Sequence, residues 1–148
     1  MFHVDEPKKN KKSGITCAIL AGGKATRLNG MNKALLKIGD FTNLDRILGK
    51  VEGLFDEFLL ITNNAEIYQN YSKVICVPDI IKGTGPLGGI FTAVRHAANN
   101  QVFVLACDMP NIQRDLIQEQ LEMTKKIHAE IIVPRFNGLI EPLHSIYS

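Results

Sequence analysis

The sequence predicts an α/β fold: a three-layer, Rossmann-like arrangement in which a mostly parallel sheet carries helices on both faces. Three observations predict it. Short apolar runs alternate with amphipathic stretches along the chain, the pattern of strand–helix units joined by right-handed crossovers. The runs are apolar throughout rather than apolar at every second residue, as strands covered on both faces are. Each run also stops at polar or glycine-rich residues, the place where an open parallel sheet gathers its ligands. At 148 residues the chain suits one domain with a real core and is short for two.

The elements follow in order. Residues 15–20 (ITCAIL) read as a buried strand ending at a glycine pair. Residues 42–54 read as a helix, because Leu44, Ile47, Leu48, Val51 and Leu54 recur at spacings of three and four. Either Thr42 or Asn43 suits its N-cap. Residues 58–62 (FLLIT) form the next strand, a short helix follows at 65–69, and 74–77 (VICV) form a third strand stopped by Pro78. A helix over 87–98 opens after Gly85-Pro86, with Ile90, Val94 and Ala97 on its inner face. Residues 102–106 (VFVLA) are a fourth strand. Residues 112–127 are a helix with Leu116, Ile117, Leu121 and Met123 toward the core. Residues 130–133 and 143–147 complete the strand set.

Composition narrows the function. Residues 1–12 hold four lysines (Lys8, Lys9, Lys11, Lys12) against Asp5 and Glu6, while the other 136 residues carry 13 basic and 13 acidic side chains. Residues 1–13 therefore read as a flexible basic arm and residues 14–148 as one neutral domain. A neutral domain without Trp is a poor match for a nucleic acid partner. No apolar run reaches membrane-spanning length and the polar start has no signal-peptide core, so no membrane partner and a cytoplasmic location are expected. Cys17, Cys76 and Cys107 are odd in number and lack the close pairing of a zinc site, which suits reduced, mostly buried thiols.

The chemistry sits in the segments after the strands. Leu20-Ala21-Gly22-Gly23-Lys24-Ala25-Thr26-Arg27, followed by Lys33, reads as a phosphate loop. Two glycines let backbone N–H groups approach an anion, and Arg27 and Lys33 supply fixed positive charge. The segment is neither a Walker loop nor a dinucleotide fingerprint. Asp108 closes the fourth strand in Cys107-Asp108-Met109-Pro110. Pro110 and the distance to the next helix make Asp108 a poor helix cap, whereas Mg²⁺ on a nucleotide needs only one or two protein carboxylates. Residues 83–89 contain four glycines in a loop suited to wrapping a flat ligand before a helix N-terminus. Asp79 suits a ribose or base edge, or a plain loop carboxylate. Asn63 and Asn64 suit a base contact, or the end of a strand and a short-helix cap.

Taken together, these residues resemble the molybdenum cofactor guanylyltransferase family, MobA-like nucleotidyltransferases. The matching elements are Leu20–Arg27, Lys33, Asn63, Asp79, Gly85-Pro86-Leu87-x-Gly89, Cys107-Asp108-x-Pro110, and Glu141-Pro142-Leu143 with Tyr147. They run in order from about residue 15 to the last residue. The resemblance implies a glycosyltransferase-A-like variant of the fold and an enzyme that transfers GMP from GTP to molybdopterin, releasing pyrophosphate. It also implies Mg²⁺ as cofactor. Arg27, Lys33 and Asp108 are the implied catalytic residues, with Asp108 on the metal. The implied nucleotide-binding set is Leu20, Ala21, Gly22, Gly23, Lys33, Asn63, Asp79, Gly85, Pro86, Leu87 and Asp108. GTP, molybdopterin or molybdenum cofactor, and molybdoenzyme-specific chaperones are the implied partners.

Three departures stand out. Ala25 takes the place of a common Ser, and Asn32 that of a common Asp before the Lys. The chain also reads as lacking the family's C-terminal helix and Asn-rich segment, which leaves the strand at 143–147 expected to be uncovered. Two rival readings remain. One is a sibling cytidylyl- or sugar-phosphate nucleotidyltransferase, although the sugar-phosphate enzymes usually carry Pro-Lys where Asn32-Lys33 stands. The other is a catalytically impaired nucleotide-binding adaptor.

Overall fold

The structure is a computed structural model that describes residues 13–22, 27–28 and 31–148. The basic arm at residues 1–12 lies outside the described residues. Strand β1 (Thr16–Leu20) opens the domain, and a small hairpin follows, β2 (Arg27–Leu28) with β3 (Met31–Asn32). A second hairpin joins β4 (Lys37–Ile38) to β5 (Phe41–Thr42) and leads into α1 (Asn43–Val51). Next come β6 (Glu57–Ile61), β7 (Ile75–Val77), α2 (Gly85–His96), β8 (Val102–Ala106) and α3 (Arg114–Lys126). The chain closes with β9 (Ile131–Ile132), β10 (Arg135–Phe136), β11 (Leu139–Ile140) and β12 (His144–Tyr147).

Six strands form one sheet in the order β7-β6-β1-β8-β12-β9. β7, β6, β1 and β8 run parallel, and β12 returns antiparallel to both β8 and β9. Strand alternation divides the core into two layers. Cys17 and Ile19 of β1 join Leu60, Phe103 and Leu105 against Leu44, Ile47 and Val51 of α1 and Ile117 and Leu121 of α3. Ala18 and Leu20 join Leu59, Ile61, Val102 and Val104 against Ala93 of α2. Helices on opposite faces of a mostly parallel sheet make the predicted three layers.

Local chemistry explains the elements. Thr42, the N-cap of α1, makes a full capping box: its hydroxyl accepts the Asp45 N–H at 3.0 Å, and the Asp45 carboxylate accepts the Thr42 N–H at 2.8 Å. Burial raises the Asp45 carboxyl, but its hydrogen bonds from Thr42 outweigh this and hold it below the usual range. The hairpin of β10 and β11 turns on Asn137-Gly138, both at positive φ (49° and 83°), the conformation that an Asn-Gly two-residue turn favours. That pair was the legible signal for a hairpin absent from the predicted elements.

Three predicted details change. In α2 the buried residues are Gly88, Gly89, Thr92 and Ala93. Ile90 and Ala97 are half-buried and Val94 is exposed. Small residues let this helix lie close to the sheet, where a Cβ at Gly89 would stand 3.1 Å from the Leu20 side chain. In α3, Ile117 and Leu121 are buried with Gln120, while Leu116 and Met123 are exposed. The Gln120 amide donates to the His144 carbonyl at 2.9 Å, so this polar residue links helix to sheet. The strand at 143–147 is not left bare: His144, Ser145 and Ile146 are buried between β8 and β9.

Candidate functional site

The site lies beyond the carboxyl ends of the parallel strands. A cleft of about 590 Å³ is lined there by Leu20, Gly22, Lys33, Asn63, Asp79 and Asp108, together with the loop before α2. Main-chain hydrogen bonds hold the strand tips together: the Ala21 N–H reaches the Ile61 carbonyl (2.9 Å), Thr62 that of Val77 (2.9 Å) and Cys107 that of Leu20 (3.1 Å). The tips thereby become a hydrogen-bonded rim that bears the candidate side chains.

Lys33 is placed by a short capped turn. Asn32 accepts the Ala34 N–H at 2.9 Å and donates to the buried Tyr68 hydroxyl at 2.8 Å. Asn43, at the start of α1, donates to the Lys33 carbonyl at 2.8 Å. Held this way, the Lys33 ammonium stands 3.5 Å from an Asp108 carboxylate oxygen, with the two side chains 30% and 49% exposed. The separation is long for an ion pair and both groups face the cleft, so each retains capacity for an incoming ligand. The departure from Asp to Asn at position 32 thus leaves the turn capped.

Asp108 does not cap a helix. α3 starts at Arg114 with Gln113 as its N-cap, as the sequence suggested. Its neighbour Cys107 is buried. Burial, reinforced by the Asp108 charge, pushes the Cys107 thiol up to about 11, so it stays protonated at neutral pH and competes poorly as a metal ligand.

On the other side of the cleft Asp79 and Asn63 form a reciprocal pair. The Asn63 amide donates to the Asp79 carboxylate at 2.8 Å, and the Asp79 N–H donates to the Asn63 side-chain oxygen at 3.1 Å. Gly22 lies close beside them: a Cβ there would stand 3.1 Å from the Asp79 carboxylate, which would have to shift by a few tenths of an ångström, and in ordinary contact, 3.5 Å, with the Ile61 carbonyl. The loop before α2 is anchored by Ile80 N–H to the buried Thr92 hydroxyl (3.0 Å) and by the Thr84 hydroxyl to the Ile81 carbonyl (2.9 Å). Gly83 and Gly85 hold positive φ (81° and 63°), which glycine adopts without strain. α2 begins at Gly85-Pro86 with no side-chain cap on its N-terminal amides. Uncapped amides at a helix start suit an anion or the acceptor edge of a base.

The structure therefore brings together Leu20, Gly22, Lys33, Asn63, Asp79, Gly85, Pro86 and Asp108. Two predicted members do not join them. Ala21 is buried and spends its N–H on Ile61, because it continues the sheet pairing by one residue. Leu87 is 74% exposed on the outer side of the first turn of α2. Gly23 and the side chain of Arg27 lie outside the described residues. Sequence reasoning missed the apolar floor of Ile61, Ile81, Ala106 and Leu143. Ile61, Ile81 and Ala106 are ordinary strand-end or loop residues that nothing in their local sequence marks, whereas Leu143 belongs to the Glu141-Pro142-Leu143 motif and reaches the cleft on the antiparallel return.

Among the described residues no group of three or more His, Cys, Asp or Glu is placed to hold a metal ion. One half-exposed hard carboxylate, with an ammonium close by, is nevertheless the donor set of an Mg²⁺ that draws its other ligands from phosphate and water. The residues fit that ion better than one needing a closed protein cage. Among the described residues no helix is long and apolar enough to cross a membrane.

Comparison with known proteins adds the following. The family model described as "MobA-like NTP transferase domain" matches residues 17–148. The chain is 39% identical over 132 residues to a Clostridium perfringens protein named "Probable molybdenum cofactor guanylyltransferase", covering 89% of this chain and 65% of that one. It is 35% identical over 133 residues to the "Molybdenum cofactor guanylyltransferase" of Syntrophotalea carbinolica, covering 90% of this chain and 62% of the relative. The chain thus spans a little under two thirds of the length of these relatives. In fold it is similar to the crystal structure of "Molybdopterin-guanine dinucleotide biosynthesis protein A" from Archaeoglobus fulgidus. The TM-score is 0.73 at 24% identity, over 90% of this chain and 67% of that one.

Proposed function

The chain belongs to the MobA-like NTP transferase domain family, and from that premise we propose that it transfers GMP from GTP to molybdopterin, forming molybdopterin guanine dinucleotide and pyrophosphate. One observation carries the reading: Lys33 and Asp108, 3.5 Å apart, share a cleft with Gly22, the Asn63–Asp79 pair and the uncapped start of α2. A triphosphate needs cations at one end and a nucleoside needs hydrogen-bonding groups at the other, and this cleft offers both.

In the proposed reaction a terminal phosphate oxygen of the acceptor attacks the α-phosphorus of GTP. The bond from that phosphorus to the bridging oxygen of the β-phosphate breaks, and pyrophosphate leaves with the electron pair. The attacking oxygen is already anionic at neutral pH, so no strong general base is required and positioning with charge neutralisation does most of the work. Lys33, with Arg27, neutralises phosphate charge. Asn63 fixes the Asp79 carboxylate, whose free acceptor capacity suits a ribose hydroxyl or the N–H edge of guanine. Asp108 would hold Mg²⁺, which when bound withdraws charge from the phosphates and orients them. Molybdoenzyme-specific chaperones remain the proposed recipients of the product, and a cytoplasmic setting suits these substrates.

Thermal-shift measurement with GTP, CTP or UTP, each with Mg²⁺, followed by pyrophosphate release in the presence of molybdopterin, tests this reading. Stabilisation by GTP of about 2.7 kcal/mol at a hundred times Kd, together with release of pyrophosphate, is the expected outcome. A response to CTP alone removes the guanine assignment. Nucleotide binding without turnover favours the adaptor reading.

A further inference from the structure

The two ends of the cleft are tied together by a buried residue that stands outside its lining. Asn63 with Asp79 forms the nucleoside end, and Lys33 with Asp108 the phosphate end. A short 3₁₀ helix, Ala65–Tyr68, begins two residues after Asn63 and closes on Tyr68. The Tyr68 side chain is 2% exposed, belongs to the same core layer as Ala34, Leu44 and Ile47, and does not line the cleft.

Tyr68 reaches the phosphate end through one side chain. Its hydroxyl accepts from the Asn32 amide at 2.8 Å, and Asn32 accepts the Ala34 N–H at 2.9 Å. Lys33 lies between those two residues, so the pair of bonds holds the backbone on which its ammonium is carried. Burial pushes the Tyr68 hydroxyl up to about 12, so it stays protonated and adds no charge beside Lys33. A second tether runs in parallel. The Tyr71 N–H bonds the Tyr68 carbonyl (2.9 Å), and the Tyr71 hydroxyl meets that of Thr42 at 2.8 Å. Thr42 caps α1, whose first residue, Asn43, donates to the Lys33 carbonyl at 2.8 Å. The segment 63–71 thus grips the Lys33 turn twice, through Asn32 and through the start of α1.

A lysine ammonium sits at the end of a flexible four-carbon stem, so its backbone must be held if the charge is to be placed. A displacement of about 1 Å near reacting atoms costs on the order of 10²-fold. The Lys33–Asp108 pair, half-exposed and 3.5 Å long, is too loose to supply that hold. Resting on the reading of the chain as a nucleotidyltransferase, we infer that Tyr68 is a positioning residue: through Asn32 it fixes the Lys33 turn to the segment that carries Asn63, and so sets the span between the phosphate and nucleoside ends of the cleft. Removing its hydroxyl weakens binding of a triphosphate group and leaves binding of a nucleoside unchanged.

Tyr68→Phe keeps the ring in the core and deletes the hydroxyl alone. Asn32→Ala removes the other end of the same bond at a half-buried position, and serves if the buried substitution does not fold. Full-length wild type, both single variants and the double variant are titrated with GTP, inorganic tripolyphosphate and guanosine in the presence of Mg²⁺, and crystals of the single variants are compared with wild type. The expected result is GTP and tripolyphosphate binding weakened about tenfold, the size of one lost hydrogen bond, with guanosine within twofold of wild type. The double variant is expected to lose no more than Asn32→Ala alone, because both changes break one bond. A residue with only a packing role lowers Tm and shifts all three ligands alike. Unchanged tripolyphosphate affinity in the folded single variants, an equal loss for guanosine, or losses that multiply in the double variant overturn the assignment. If wild type binds neither GTP nor tripolyphosphate, the nucleotidyltransferase reading falls and the crystals decide the positioning role. A Lys33 ammonium still within about 4 Å of Asp108 in the variants then overturns it, and withdrawal of that ammonium upholds it.

Discussion

Replacing Asp108 with Ala separates a functional carboxylate from a structural one. The side chain is 49% exposed and its one ion pair, with Lys33, is 3.5 Å long. An exposed pair of this sort contributes at most about 1 kcal/mol. No helix cap is lost, because α3 begins six residues later under Gln113. For a domain of this size 1 kcal/mol moves Tm by roughly 2–4 °C, so the variant is expected to melt within about 4 °C of wild type. Its effect on function is expected to be of another order. Loss of a preorganised charge at the reacting phosphate costs roughly 10²–10³ in rate, and the Mg²⁺-dependent part of GTP stabilisation disappears. Melting curves with and without GTP and Mg²⁺, and pyrophosphate release, measure both quantities on the same sample. Retained turnover refutes the metal assignment. A fall in Tm beyond about 10 °C in the absence of ligand means that Asp108 is structural, and refutes the reasoning from exposure.

Two further outcomes follow from the geometry. Gly22→Ala places a methyl group 3.1 Å from the Asp79 carboxylate. It is expected to displace that group from Asn63 and weaken GTP binding about tenfold, with a change in stability below about 1 kcal/mol; calorimetric titration showing unchanged GTP affinity would place the nucleoside elsewhere. His144 is buried with a pKa lowered by that burial. The unfolded chain therefore binds its proton first, and stability is full above the ordinary value of 6.5 and falls as pH drops below it. Urea melts of wild type at pH 7 and pH 5 should show that loss, and His144→Leu should flatten it; an equal fall in both proteins assigns the pH dependence to other groups.

Much of the architecture was legible before the structure. Apolar runs placed the five principal strands, and the three-and-four spacing of Leu44, Ile47 and Val51 placed α1 and its buried face, because periodicity is a local property that burial simply selects. The candidate cleft was legible for the same reason: an open parallel sheet gathers ligands at its strand ends, and Gly22, Lys33, Asn63, Asp79 and Asp108 do line one cleft there. The tertiary structure decided the rest, through contacts between residues far apart in the chain. It turned α2 so that Gly89 rather than Val94 meets the sheet, where even a Cβ would crowd the Leu20 side chain at 3.1 Å. It took Ala21 out of the site by pairing its amide with Ile61. It set Lys33 opposite Asp108 by way of Asn32, Tyr68 and Asn43. It also brought Leu143 under one cavity and Glu141 beside another on an antiparallel return. A sequence states what each segment prefers; which preferences meet, and which side chains lose their solvent, is fixed only when the layers close.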